Sequence, residues 1–159
     1  MIYFEEKGIV IRTAIEGDID AVSADIRRED AEEVHAEGDS VRGALERSFA
    51  SSSLRFTALR DGVPVAIFGL VPDAIAGSRA VVWLLGAEGL RRIPKTFLRL
   101  SRAVIRYFLS LYPLLYNRVD ARYAGTIRWL ESCGASFQDP LPVGPSGAPF
   151  RTFTITRGT

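Results

Sequence analysis

Apolar residues alternate with polar ones along residues 8–14 (GIVIRTA), and the β-branched side chains there predict a first strand. The period then changes. Asp18 can cap a helix whose apolar positions Ile19, Val22 and Ile26 fall at helical spacing. The acidic stretch RREDAEEVHAEG continues as helix or loop and ends at Gly38. Asp39 or Ser40 caps a second helix carrying Val41, Leu45 and Phe49, which the serines at 51–53 terminate.

A hairpin follows, with one strand at 54–60, the tight-turn pair Asp61-Gly62, and a returning strand at 63–71 (VPVAIFGLV). The returning strand is apolar on both faces, which places it centrally in its sheet. After a loop at 72–79, AVVWLL at 80–85 reads as another buried strand. A long helix spans 94–111, with Pro94 in its first turn and Pro113 stopping it. A strand at 114–120 and a short helix at 125–133, closed by Gly134, come next. Ser136 and Phe137 lead through a loop with four prolines into a final strand, FRTFTIT. The order β-α-α-β-β-β-α-β-α-β predicts one α/β domain over residues 1–159: a central mixed, mostly antiparallel sheet with helices on both faces.

At 159 residues and 47% hydrophobic, the chain can bury a real core. One cysteine and one histidine exclude a disulfide framework and a histidine cage. No apolar run is long enough for a transmembrane helix, and the acidic N-terminus is unlike a signal peptide. The formal net charge is +1, but it is unevenly spread. Residues 16–39 hold ten acids and two bases, and residues 91–128 hold nine bases and one acid. Either these halves face one another, or the basic half meets phosphate. Lys95, Arg99, Arg102 and Arg106 would line one face of the long helix, where they could contact phosphate, DNA or an acidic protein surface.

The Asp-Gly hairpin, the apolar strand with Gly69, AVVWLL, and the segment IRWLESCGASF together resemble the GCN5-related N-acetyltransferase (GNAT) fold over nearly the whole chain. The resemblance implies acetyl-CoA lying in a splay between two strands, its diphosphate held by a glycine-rich turn opening the long helix. It also implies direct amine attack assisted by a carboxylate or histidine base and a tyrosine acid. The corresponding turn here is Leu85, Gly86, Gly89, Leu90, Arg91 and Arg92, but its glycines are three apart and do not form that family's motif. Glu88 is the best placed base, ahead of Glu32 and Glu33. Leu130 stands where the acid tyrosine is usual, and Tyr123, about 10 Å away along a helix axis, is a poor stand-in.

The stretch DIRREDAEEVHAEG, together with GVPVAIFGLV, VVWLLGAEGL and NRVDARYAGTIRWLESCGASF, more closely resembles the small internal virion proteins of podophages and their prophage relatives. That resemblance implies a virion-associated or assembly protein without working catalysis. Its partners would be phage structural proteins, and its location the host cytoplasm or the virion interior. The alternative is an N-acyltransferase using acetyl-CoA. Of the remaining chemistry, His35 reads as a surface histidine, Cys133 as a buried thiol, and Trp83 and Trp129 as core.

Overall fold

A computed structural model describes residues 2–73 and 77–157; part of the loop expected at 72–79 lies outside the described residues. Nine strands form one sheet in the order β1-β2-β3-β4-β5-β6-β9-β7, with β8 also pairing β9. The strands are β1 (Ile2–Glu6), β2 (Ile9–Thr13), β3 (Leu54–Arg60), β4 (Val63–Pro72), β5 (Arg79–Gly86), β6 (Leu114–Asp120), β7 (Ser136–Phe137), β8 (Leu141–Val143) and β9 (Ala148–Thr156). All neighbours are antiparallel except β5 and β6. The helices are α1 (Gly17–Ala24), α2 (Arg28–Ala36), α3 (Val41–Ser51), α4 (Pro94–Leu111) and α5 (Ala124–Ser132).

The sheet is mixed and mostly antiparallel, as the sequence predicts, and it separates two cores. Phe56, Phe68, Phe108, Val104 and Leu130 pack on the α4–α5 face. Ile67, Trp83, Val22, Leu45 and Phe49 pack on the α1–α3 face. The strand alternation accounts for the split, because adjacent residues Ile67 and Phe68 point to opposite sides. The two-residue turns Lys7-Gly8 and Asp61-Gly62 each have two successive positive φ values, as the twist of such hairpins requires.

The elements depart from expectation at several points. The strands β1, β7 and β8 are additional, and the acidic stretch forms a helix of its own, α2. Ser40 caps α3 by accepting from the Gly43 N–H at 3.1 Å. Asp18 lies inside α1 and is buried instead of capping it. Gly69 is fixed by close approach, because a Cβ there would lie 2.3 Å from the Leu54 carbonyl oxygen. Gly69→Ala is therefore expected to cost about 1–3 kcal/mol by forcing β3 and β4 apart, measured by urea denaturation.

Candidate active site

β5 and β6 run parallel for three residue pairs only, Arg79–Leu114 to Val81–Tyr116, and then part. A cavity of about 410 Å³ occupies the parting. On the α2 side its lining includes Asp30, Glu33 and Glu37; on the other it includes Ile93, Phe97 and Thr126. It therefore passes from one face of the sheet to the other.

Strand alternation directs the peptide groups of Val82, Leu84 and Gly86 toward β6. The Val82 carbonyl accepts from Asn117 Nδ2 at 2.7 Å, so Asn117 bridges the two strands just beyond their last pair. The Gly86 N–H donates to Asp30 at 2.9 Å, and its carbonyl accepts from the Arg27 N–H at 2.8 Å. Between these satisfied positions, the Leu84 peptide faces the gap. An extended amide chain laid in the gap would complete the strand edge there.

Glu33 projects from α2 and accepts from the Asp120 N–H at 3.2 Å. Its environment disfavours charge. Burial pushes its carboxyl up, the Asp120 N–H opposes that, and the nearby carboxylates Asp30, Asp120 and Glu37 push it further, to about 8. Asp30 differs because it has a cation. Arg27 Nε donates to it at 2.7 Å, and with the Gly86 N–H this partly offsets the burial that still leaves Asp30 raised.

The acidic and basic halves of the sequence do face one another across this region. Arg118 donates to Glu37 at 2.6 Å, and Arg91 binds both Glu29 and Glu88. These pairs fasten α2 to β6 and to the turn after β5.

That turn, Glu88–Arg92, is a single 3-10 segment and not an open cradle of N–H groups. The Ala87, Glu88, Leu90 and Ile93 N–H groups donate within the fold, and Pro94 has none to offer. Gly86 has given its N–H to Asp30, and Gly89 packs against Val65, where a Cβ would lie 2.9 Å from Cγ1. Leu85 and Leu90 line the cavity with their side chains. Arg91 is committed to its two carboxylates, which leaves Arg92 and Lys95 exposed at the start of α4.

The two candidate catalytic residues named from the sequence, Glu88 and Tyr123, lie outside this cavity lining. Glu88 is exposed, outside the cavity lining, and its hydrogen bond from Arg91 holds it below the usual glutamate range. Tyr123 donates to Glu32, and burial together with Glu32 raises its phenol well above the usual value. It borders a separate open cleft with His35 and Arg122. Leu130, in the position where the acid tyrosine is usual, is buried.

Along the basic face of α4, Arg99 pairs with Glu6 at 2.8 Å and Arg102 donates to the Ser132 carbonyl, while Lys95 and Arg106 are exposed. His35 is exposed, and burial raises the Cys133 thiol. Trp83 is core and donates to Ser52; Trp129 stacks on Phe97 at 5.1 Å and lines the cavity. Among the described residues no helix is long and apolar enough to cross a membrane, and no cluster of ligand residues could hold a metal.

No family model matches the chain, and no curated protein does. Solved structures do. AAC(6')-Ib in complex with ribostamycin and coenzyme A matches at a TM-score of 0.70 and 15% identity, over 95% of this chain and 94% of that one. The GNAT-family acetyltransferase from Bacillus anthracis matches at 0.71 and 12%, over 98% of both chains. The ribosomal-protein-S18-alanine N-acetyltransferase from Escherichia coli matches at 0.68 and 15%, over 95% of both. These matches give no support to the resemblance to phage virion proteins. At such identities the likeness is one of fold, and the chain is a single α/β domain with the fold of the GNAT acetyltransferases.

Proposed function

We propose that this chain is an acyl-CoA-dependent N-acyltransferase that acts on an amine. The observation that carries this reading is the parting of β5 and β6 over a cavity reaching both sheet faces, with the Leu84 peptide turned into it. An acyl-CoA supplies a thioester carbonyl for attack by an amine. The Leu84 peptide offers a donor and an acceptor to the amides of the pantetheine arm, and the side chains of Phe97 and Trp129 wall that arm. Arg92 and Lys95 are exposed cations beside the turn, placed to meet the diphosphate. On the opposite side Glu33 receives the amine proton as the new C–N bond forms; the thioester C–S bond then breaks, and coenzyme A leaves as a thiolate that takes its proton from solvent. Its raised basicity suits that role near neutral to mildly alkaline pH. The structural neighbours include enzymes described as coenzyme A complexes and as N-acetyltransferases, which supports the same chemistry.

Thermal unfolding with acetyl-CoA, using ATP as a control for phosphate attraction to the arginines, tests the reading. Saturation at about 100 times the dissociation constant adds about 2.7 kcal/mol. For a chain this size the midpoint should rise by about 5–10 °C. The expected result is a shift of that order with acetyl-CoA and little with ATP. No shift with acetyl-CoA or with a longer acyl-CoA at millimolar concentration would overturn the acyltransferase reading and favour the non-catalytic virion role that the sequence resemblance implies.

A further inference from the structure

The cavity does not end at the parted strands. The pairing register places Ile11, Ala58, Ala66 and Gly86 side by side on β2, β3, β4 and β5. Three of these four are alanine or glycine, so the row forms a sunken floor across the sheet. The adjacent row, Phe56, Phe68 and Leu84, stands taller. Ile93, Phe97 and Val104 roof the same space. Three strand spacings separate β5 from β2, about 14 Å in all. Ile11, Ala58 and Ala66 all line the cavity while being nearly inaccessible from outside, at 3%, 8% and 1% exposure. Leu90 marks the boundary between gap and crevice: a Cβ on Gly86 would meet its Cδ2 at 2.8 Å.

An apolar crevice of this kind, opening from the gap between the strands, takes an apolar guest. We infer that the crevice holds the hydrocarbon tail of the acyl donor, and that the preferred donor is a medium-chain acyl-CoA in place of acetyl-CoA. This rests on the acyltransferase reading. An acetyl group ends at the thioester and leaves the floor uncovered. A longer chain lies over Ala66 and Ala58, and each methylene it buries there adds to affinity.

Isothermal titration of the full chain with CoA, acetyl-CoA and octanoyl-CoA tests this, with free octanoate as the control for non-specific hydrocarbon binding. Octanoyl-CoA is expected to bind at least tenfold more tightly than acetyl-CoA. Ala58→Leu should abolish that advantage by filling the floor while leaving acetyl-CoA affinity within about twofold, and its thermal midpoint should hold or rise because it fills a void. Ala66→Val blocks the same path and serves if Ala58→Leu fails to fold. Equal binding of the two thioesters overturns the chain-length inference and leaves the acyltransferase reading intact. An octanoyl advantage that survives the blocking variant also overturns it, because the tail would then lie elsewhere. If no CoA species binds, the acyltransferase reading fails and the inference fails with it.

Discussion

Asp18→Ala is expected to destabilise the fold by about 3–5 kcal/mol, the usual cost of removing one partner from a buried ion pair. Asp18 is 3% exposed and collects four donors. Arg12 donates through both terminal nitrogens, at 2.8 and 2.9 Å, the Ile15 N–H donates at 2.9 Å, and Thr57 Oγ1 donates at 2.6 Å. Together they join β2, α1 and β3, so the lesion reaches across the α1 face of the sheet. At this size the loss corresponds to a fall in midpoint of roughly 10 °C. Burial pushes the Asp18 carboxyl up, but the bonds from Arg12, Ile15 and Thr57 outweigh it and leave the group below its ordinary value of 3.8. A carboxyl depressed in the folded state stabilises fully above its unfolded value, and that contribution disappears as pH falls through the folded one. Urea denaturation between pH 2 and 7 should show wild type and Asp18→Ala converging only at the acid end. Curves separated by less than 1 kcal/mol at pH 7 would mean that Asp18 does not hold these elements together.

Asp18 also shows where sequence reading stops. An aspartate before an apolar helical period reads as a cap, and only the tertiary structure brings Arg12 and Thr57 to it. Elements with a sharp period or a covalent stop were legible. α4 begins at Pro94 and ends two residues before Pro113, and the Asp61-Gly62 turn joins β3 to β4. β1 was not legible, because its apolar part is only Ile2–Phe4 before Glu5 and Glu6, and only tertiary structure brings Phe4 against the core and Tyr3 against Phe56. α2 buries only Asp30 and Val34, so its sequence lacks an apolar stripe. A signal was nonetheless present: Asp30, Glu33, Val34 and Glu37 repeat at three, four and seven residues, the inward-facing period of a helix. Acids on that stripe mark a helix that faces a cavity instead of a dry core. Glu88 was favoured because it follows β5 in sequence, yet the 3-10 segment turns it outward to Arg91. Asn117 was the other clue, a lone amide directly after the apolar run Leu114–Leu115–Tyr116, and it spans the parted strands.

Glu33→Gln should lower turnover by about 100- to 10,000-fold, the range of a lost general base, with little change in KM for the acyl donor on the opposite side of the sheet. Wild-type kcat should rise with pH through about 8, where Glu33 loses its proton, and the variant should lack that rise. Stability should move the other way. Glu33 titrates near 8 in the fold against an ordinary 4.5, so the folded state binds the proton more tightly than the unfolded chain. The stabilisation this confers is complete below about pH 4.5 and is lost as pH climbs toward 8. Glutamine is neutral throughout and never acquires the buried charge. Glu33→Gln should therefore melt close to wild type at pH 4.5 and at a higher temperature at pH 9. A residue needed only for the fold would lose activity and thermal midpoint together, whereas a base held in an unfavourable environment loses activity while the protein gains stability. Turnover within threefold of wild type, with the alkaline rise intact, would remove Glu33 from the mechanism.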